Sequence, residues 1–202
     1  MTPAEVAEAE RRAGRPRSAE ADRAILDAAI ELFIELGWDA LTVEGVAARA
    51  GVGKATVYRR YATKLDLVMA ATARLGERKG PVPDTGSVRD DLLGLARGYR
   101  RMLTATDSGR AIPLMMAAKA RCEELHRAHA GYVGERMGAS SAVITRAVLR
   151  GELPEGTDAQ LVVEMIMGPL LHRAYVTGLP IGDAYLERLV DTVLAGARGA
   201  TG

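Results

Sequence analysis

Apolar residues recur along this chain at spacings of three and four, which is the period of an amphipathic α-helix. No segment shows the alternation of apolar and polar residues that is typical of a strand. The first helical face follows Ser18 and stops at Gly37, which predicts a left-handed helix end. The pattern therefore predicts an all-α fold. The apolar residues of this first face are Ile25, Ala29, Leu32, Phe33 and Leu36.

Shorter helical segments follow, and a second group of helices lies beyond a linker. Residues 43–50 and 54–61 form two short segments, and a longer one runs from residue 64 to about 79. The run 80–87 holds two prolines and two glycines, which predicts a linker. Five more helices are then predicted over about residues 88–105, 108–118, 121–149, 159–177 and 183–197.

Composition indicates a cytoplasmic globular protein. The chain has 202 residues, 48% of them hydrophobic, and a formal net charge of +1, so any surface for nucleic acid must be local. Cys122 is the only cysteine, which excludes an intramolecular disulfide and fits a reducing compartment. Neither a signal peptide nor the roughly 20 apolar residues of a membrane span is expected, so no membrane partner is predicted.

The segment from Thr42 to Lys64 has the internal spacing of a helix-turn-helix. Two short helices that cross steeply need a small residue at their contact, and Ala47 supplies it. Gly51 suits the turn, which requires a positive φ, and Val57 faces back to fix the second helix. In such a motif the second helix enters the major groove of DNA.

Charge along this segment agrees with a nucleic-acid surface. From Gly45 to Leu65 there are five basic residues and no acidic residue, a local excess that is typical of a face in contact with phosphates. Tyr58 and Tyr61 add hydroxyl groups that can reach phosphate oxygens, and Thr56 is short enough for base edges. The alternative is a solvated helical hairpin with a chance cluster of charge. The basic residues are Arg49, Lys54, Arg59, Arg60 and Lys64.

Over about residues 21–69 the chain resembles the N-terminal signature of the tetracycline-repressor (TetR) family of bacterial regulators. Residues 168–178 are similar to a C-terminal segment of one subgroup of such regulators. The resemblance implies three DNA-binding helices, a fourth connecting helix, a ligand cavity in the C-terminal body and dimerisation through the last two helices. The signature residues are Gly37-Trp38, Leu41-Thr42-Val43, Val46-Ala47, Ala50-Gly51-Val52, Thr56-Val57-Tyr58 and Tyr61-Ala62-Thr63-Lys64.

By position, the resemblance implies two groups of DNA contacts. Thr42, Tyr58 and Lys64 would contact phosphates. Gly53 stands where many members have serine or threonine, which removes a side-chain cap and a candidate phosphate contact. Arg15 and Arg17 either reach the minor groove or belong to a solubilising tail. The residues expected at or beside the bases are Lys54, Ala55, Thr56, Arg59 and Arg60, and Tyr61 completes the predicted DNA-contacting set.

Four parts make up the predicted organisation of this all-α chain. Residues 1–18 lack a sustained apolar face and are predicted to be a disordered arm. Residues 19–64 form the three-helix helix-turn-helix module, 65–80 the connecting helix, and 81–202 a helical effector-binding and dimerisation domain.

The C-terminal part is predicted to bind a small effector. Methionine is flexible and polarisable, so it lines adaptable apolar pockets, although filling an ordinary core is the alternative for each one. By family analogy the effector is an apolar or aromatic small molecule. The predicted pocket wall is Tyr99, Met102, Leu103, Met115 and Met116, with Cys122, His126 and Met165 as further candidates.

A homodimer is predicted from the helix over residues 159–177. This helix is apolar on nearly all sides, so it must be buried on two sides, one against its own core and one against a second subunit. A twofold interface follows, and it suits a palindromic operator in double-stranded DNA. The predicted interface residues are Val162, Ile166, Leu170, Leu186, Leu189, Val190 and Val193.

Cys122, His126 and His129 share one helical face and could bind zinc if a fourth ligand approached. Their neighbours are charged, which fits a solvated face equally well, so no metal and no cofactor is predicted. An enzyme is not expected either, because no nucleophile with a base, no convergent carboxylates and no phosphate-binding loop are present.

The sequence therefore predicts a ligand-responsive DNA-binding regulator, acting as a repressor that a small effector releases from its operator. An architectural or activating DNA-binding protein without an effector is the alternative.

Overall fold

The computed structural model describes residues 3–77 and 82–199, and of residues 3–18 and 77 only the backbone. Every regular element in these ranges is helical, as predicted. None of the helices found there is long and apolar enough to span a bilayer. The elements are α1 (Pro3–Ala40), α2 (Val43–Arg49), α3 (Lys54–Tyr58), α4 (Lys64–Glu77), α5 (Val88–Ala105), α6 (Asp107–Lys119), α7 (Glu123–Leu149), α8 (Ala159–His172), a π-helical turn (Arg173–Thr177) and α9 (Asp183–Gly199).

Helix α1 differs from the prediction at its start. Its backbone is helical over residues 3–18, where the sequence predicts a disordered arm. The physical reason is composition, because the Ala, Glu and Arg of this segment are strong helix formers even without an apolar face. The side chains of Arg15 and Arg17, and with them the minor-groove hypothesis, lie outside the described residues.

Gly37 interrupts α1 before its last residues. Its φ of 74° is positive, as the predicted left-handed end requires, but its ψ of −179° lies outside the left-handed helical region, in one that essentially only glycine adopts. Glycine has this freedom because it lacks a Cβ. The break redirects the chain into Trp38 and on to the first short helix.

The chain forms two compact units, and each has a core of its own. Unit 1 consists of Met1–Gly76 and Leu114–Leu125, and unit 2 of Glu77–Pro113 and His126–Gly202. The predicted organisation instead assigns residues 114–125 to the C-terminal domain and makes residues 65–80 a separate connecting helix. Within unit 1 this segment buries Leu125, and Arg121 forms an ion pair of 3.2 Å with Asp39.

Unit 1 is built around apolar side chains of α1. Phe33 is almost completely buried, and each large apolar side chain removed from water in this way contributes roughly 1.5–3 kcal/mol to stability. The face of α1 predicted from periodicity is confirmed, except that Leu36 is exposed. Other fully buried large side chains of the unit are Ile25, Leu41, Val46, Val57, Leu67 and Leu125.

Unit 2 buries an apolar core in which α5, α8 and α9 pack against one another. Asp91 of α5 is charged and fully buried there. Its carboxylate accepts hydrogen bonds from the N–H and hydroxyl of Thr85, at 2.7 and 2.8 Å, which compensates part of its lost hydration. The fully buried large residues of this core include Leu92, Ile144, Ile166, Leu170 and Leu186.

Pro169 lies within α8, and the predicted helix over 159–177 changes its geometry soon after it. A proline has no N–H to donate and its ring crowds the carbonyl four residues earlier. The segment Arg173–Thr177 is π-helical, and Gly178 then ends it with a φ of 66°. The helix therefore ends at the predicted residue, but its last turn is wider than predicted.

Gly109 stands at the start of α6, where α6 meets the end of α5. A Cβ at this position would lie 2.1 Å from the carbonyl oxygen of Leu103, so only glycine fits. The Gly109 carbonyl accepts a hydrogen bond of 2.8 Å from the hydroxyl of Tyr175 in the π-helical turn. Close backbone approach thus fixes the α5–α6 corner in unit 2.

We expect Gly109→Ala to destabilise the protein, because the backbone of α6 must move away from α5 to admit the methyl group. The expected loss in the free energy of unfolding is about 2 kcal/mol, measured by chemical denaturation. Gly131→Ala in α7 is the matched control, since a Cβ there meets nothing within 4 Å. That change is expected to stabilise by up to about 1 kcal/mol, and equal effects at the two positions would contradict the prediction.

Candidate nucleic-acid interface

Helices α2 and α3 form the predicted helix-turn-helix. Ala47 is buried at their contact, and Val57 is fully buried on the inner side of α3. Gly51 has a φ of 66°, as the turn requires. The steric prediction for Ala47, Gly51 and Val57 is therefore confirmed.

The two helices begin differently. The Oγ1 of Thr42 caps α2 by accepting a hydrogen bond of 3.1 Å from the N–H of Gly45. The Thr42 hydroxyl proton stays available to a phosphate, since this bond uses only a lone pair. At the start of α3, Gly53 provides no side-chain cap, as predicted from its departure from the family pattern. The backbone N–H groups of the first turn of α3 therefore receive no hydrogen bond acceptor from the side chain of the N-cap residue.

Four of the residues predicted to contact DNA form the outer side of α3 and its end. Lys54, Ala55, Tyr58 and Arg59 are exposed, whereas Thr56 is half-buried. Two of the four carry positive charge and one carries a hydroxyl group. This outer surface offers the donors that phosphate oxygens and base edges accept.

Arg49 is basic and exposed, but its guanidinium is directed toward α1. It binds Glu35 through two hydrogen bonds, of 3.0 and 2.8 Å, and Glu31 through a third of 3.3 Å. These bonds raise the pKa of Arg49, with Glu35 the larger cause. The residue therefore fastens α2 to α1.

Arg60 and Tyr61, both predicted to contact DNA, meet the same acidic residue of α1. The Nε of Arg60 lies 3.3 Å from Oδ1 of Asp22, and the Tyr61 hydroxyl donates to that oxygen at 2.8 Å. Burial, and then Asp22, raise the pKa of the Tyr61 hydroxyl. These groups thus hold the end of the motif against α1, and their contact with DNA stays a prediction.

Lys64 begins α4 and faces Trp38 after the break in α1. Its Nζ donates to the Trp38 carbonyl at 2.9 Å and lies 4.4 Å from the centre of the indole ring. This cation–π contact and hydrogen bond occupy one side of the ammonium group. The predicted phosphate contact of Lys64 must share the ammonium with Trp38.

One acidic residue of this surface escaped the sequence analysis. Glu44 is exposed near the start of α2, and its carboxylate lies 3.4 Å from the Tyr58 hydroxyl and 3.7 Å from Nζ of Lys54. The acid-free window in the sequence begins at Gly45, one residue later, so the charge count passed over it. The sequence did offer one indication of Glu44, because acidic residues are favoured in the first turn of a helix.

The residues predicted for an effector pocket are divided between the two units. Met115, Met116 and Cys122 belong to unit 1, and the other five to unit 2. These eight residues also differ in how much of each side chain is exposed. Met102, Leu103 and Met115 are buried, Tyr99 and Cys122 are half-buried, and Met116, His126 and Met165 are exposed.

Within unit 2, Tyr99 joins the rim of the apolar core together with Tyr175. Burial, and then the neighbouring Tyr175, raise the pKa of the Tyr99 hydroxyl to about 12. A separate open pocket of about 490 Å³ lies at the α5–α6 corner. Leu103 is the one predicted pocket residue in its lining, which extends to Arg110.

The predicted dimer-interface residues are corrected by their burial. Six of the seven lie in the core of unit 2 within a single chain, so they offer no surface to a second subunit, and Leu189 is half-buried. Helix α8 is apolar on two sides, as predicted, but its three members of this set are on the inner side, and the other three are buried on α9. The six are Val162, Ile166, Leu170, Leu186, Val190 and Val193.

A metal centre finds no support in the described part of the chain. No group of three or more His, Cys, Asp or Glu side chains there is arranged to hold an ion. His129, one of the histidines considered for zinc, contacts the ring of Tyr132 at 6.0 Å between centroids.

Comparison with known families matches both parts of the chain. Residues 25–71 match the model described as "Bacterial regulatory proteins, tetR family". Residues 82–193 match the model described as "Tetracyclin repressor-like, C-terminal domain".

Relatives in other bacteria span nearly the whole chain. The DNA-binding transcriptional repressor TetR of Mycobacteroides abscessus is 34% identical over 183 residues, covering 90% of this chain and 93% of its own. The HTH-type transcriptional regulator AqdR of Rhodococcus erythropolis is 32% identical over 182 residues, covering 89% and 86%. The crystal structure of the TetR family transcription regulator SCO0332 superposes with a TM-score of 0.71 at 30% identity, covering 88% of this chain and 98% of that one.

We expect Lys54→Ala and Arg59→Ala to weaken DNA binding without affecting folding, because both side chains are exposed. On operator DNA, each lost phosphate contact reduces the slope of log K against log salt by about 0.9, which fluorescence anisotropy at several salt concentrations can measure.

Arg60→Ala is the contrasting variant. It leaves Asp22 without its arginine, so the free energy of unfolding is expected to fall by about 1 kcal/mol. A reduced salt slope for Arg60→Ala with unchanged stability would instead place this arginine on the DNA.

Proposed function

The chain belongs to the tetracycline-repressor family of bacterial regulatory proteins, and we propose that it is a homodimeric repressor that a small effector releases from a palindromic operator. Members of this family are DNA-binding transcriptional regulators and not enzymes. The observation that carries the proposal is the exposed, cationic outer side of α3, set on a buried scaffold. A relative 34% identical is named a transcriptional repressor, which favours repression here.

The exposed side of α8 offers a surface to which a second subunit can bind. Leu161, Met165 and Gly168 recur at spacings of four and three on its exposed side, opposite the residues in the core. Leu161 and Met165 are 51% and 45% exposed, a large apolar area to leave in water. A second copy of the chain is the proposed occupant, because one helix face can pair with itself across a twofold axis and a palindrome requires two recognition helices.

Unit 2 is the proposed effector-binding part. Tyr99 and Tyr175 bring two phenol groups to the edge of the core, and Met137 and Met167 are also partly buried against that core. Methionines adapt to apolar ligands of varied shape, and tyrosine hydroxyls fix orientation through hydrogen bonds. An apolar or aromatic small molecule fits this chemistry.

The proposed mechanism is a shift of population. The free dimer holds its two α3 helices at the operator spacing, and the effector binds a different arrangement more tightly. The coupling is reciprocal, so operator DNA weakens effector binding by the same factor.

We expect the purified protein to enrich an inverted repeat from a random duplex library at about 150 mM salt, which suppresses nonspecific phosphate binding. The selected duplex then reports effectors as compounds that lower its affinity at fixed salt. If an inverted repeat is bound and no small molecule changes its affinity, the architectural alternative without an effector replaces the proposed one.

The dimer surface has its own test. Met165→Arg places a charge in the proposed interface, so we expect a monomer in sedimentation and a large loss of operator affinity. Leu149→Arg is the matched control, because Leu149 is 82% exposed at the end of α7. Circular dichroism is expected to be unchanged in both, and a dimeric Met165→Arg variant would contradict this interface.

A further inference from the structure

Glu44 of α2 brings a carboxylate against the outer side of α3. Its side chain is 45% exposed, and that of its partner Lys54 is 64% exposed. The Oε1 atom lies 3.4 Å from the Tyr58 hydroxyl and 3.7 Å from the Lys54 ammonium. A single oxygen therefore meets two of the groups that DNA phosphates would take.

The carboxylate is well suited to substitute for a phosphate oxygen. It is anionic, and it accepts a hydrogen bond from the tyrosine and pairs with the lysine as a phosphate would. The pKa of Glu44 is lowered, mainly by a backbone hydrogen bond and also by Lys54 and Tyr58, so the group is charged at neutral pH.

We propose that Glu44 is a specificity-determining residue, a phosphate mimic on Lys54 and Tyr58 that weakens binding to DNA of the wrong sequence. Any duplex must first separate these two groups from Glu44 and then tolerate its negative charge. On a matching sequence, base contacts from α3 offset that cost. On other sequences only phosphate contacts remain, so the cost falls fully on nonspecific binding.

The same geometry explains why the effect belongs to binding and not to folding. The contacts are long and exposed, and exposed ion pairs contribute little to stability. Lys54 and Tyr58 are on α3 and Glu44 is on α2, so the carboxylate selects the direction of the two side chains in the free protein. The inference rests on DNA binding by the family and does not depend on the effector.

The test compares Glu44→Gln with the parent on a random-sequence duplex from about 50 to 200 mM salt. Freeing Lys54 for one phosphate is expected to tighten nonspecific binding several-fold at low salt and to steepen the salt slope by about 0.9. That slope makes the ratio of variant to parent affinity shrink about threefold over this range. Operator affinity is expected to change less, so the ratio of specific to nonspecific affinity falls.

Two further variants make the test specific. Glu155→Gln, in the exposed loop before α8, removes the same charge far along the chain and is expected to behave as the parent. In a Lys54→Ala background, Glu44→Gln is expected to lose most of its gain, since the freed cation is absent.

The result that overturns the proposal is a Glu44→Gln variant whose nonspecific affinity and salt slope equal those of the parent, or are lower. The proposal is also overturned if Glu44→Gln tightens nonspecific binding equally in the Lys54→Ala background. The gain would then come from removing a negative charge in general and not from freeing Lys54. A folded parent that binds neither operator nor random DNA contradicts DNA binding itself, a failure distinct from that of Glu44.

Discussion

The five-residue helix α3 cannot hold its own orientation, and the contacts that hold it come from α2 and, just beyond its end, from α1. Isolated helices of this length are unstable in water, because nucleation costs more than so few hydrogen bonds return. Val57 inserts into the core beneath, while Asp22 holds Arg60 and Tyr61 just beyond the helix end. Helix α2 is likewise held to α1, because Arg49 of α2 forms hydrogen bonds with Glu35 of α1. The surface offered to DNA thus depends on acidic side chains that never face it.

This arrangement shows what could be predicted from the sequence. The steric code of the motif is local, so Ala47, Gly51 and Val57 could each be assigned from spacing alone, and the structure agrees. The helices of the remaining chain could be predicted equally well, because apolar periodicity reports a buried face directly. The ion-pair partners of the basic residues could not be predicted from the sequence. Asp22 and Arg60 are 38 positions apart, and charge counting cannot distinguish a cation that binds phosphate from one that binds its own helix.

Helix α8 shows a second limit of sequence reasoning. Its composition correctly indicates two apolar sides, but periodicity does not reveal which side belongs to the core. Burial resolves this, because Val162 and Ile166 are inside and Leu161 and Met165 are outside. The predicted effector residues meet a related limit, since methionine is used both in cores and in pockets. Met102 is buried and Met165 is exposed, although nothing in their local sequence separates them.

The ties between α1 and the motif also bear on how fast the protein finds its site. Because the backbone of α3 is already fixed in the free state, association requires no folding step and the rate is not limited by the formation of a helix. Only the exposed side chains of Lys54, Tyr58 and Arg59 have to give up rotamer freedom, an entropic cost of about 0.5–1.5 kcal/mol for each. The surface therefore meets each duplex with the backbone of α3 already in its final shape.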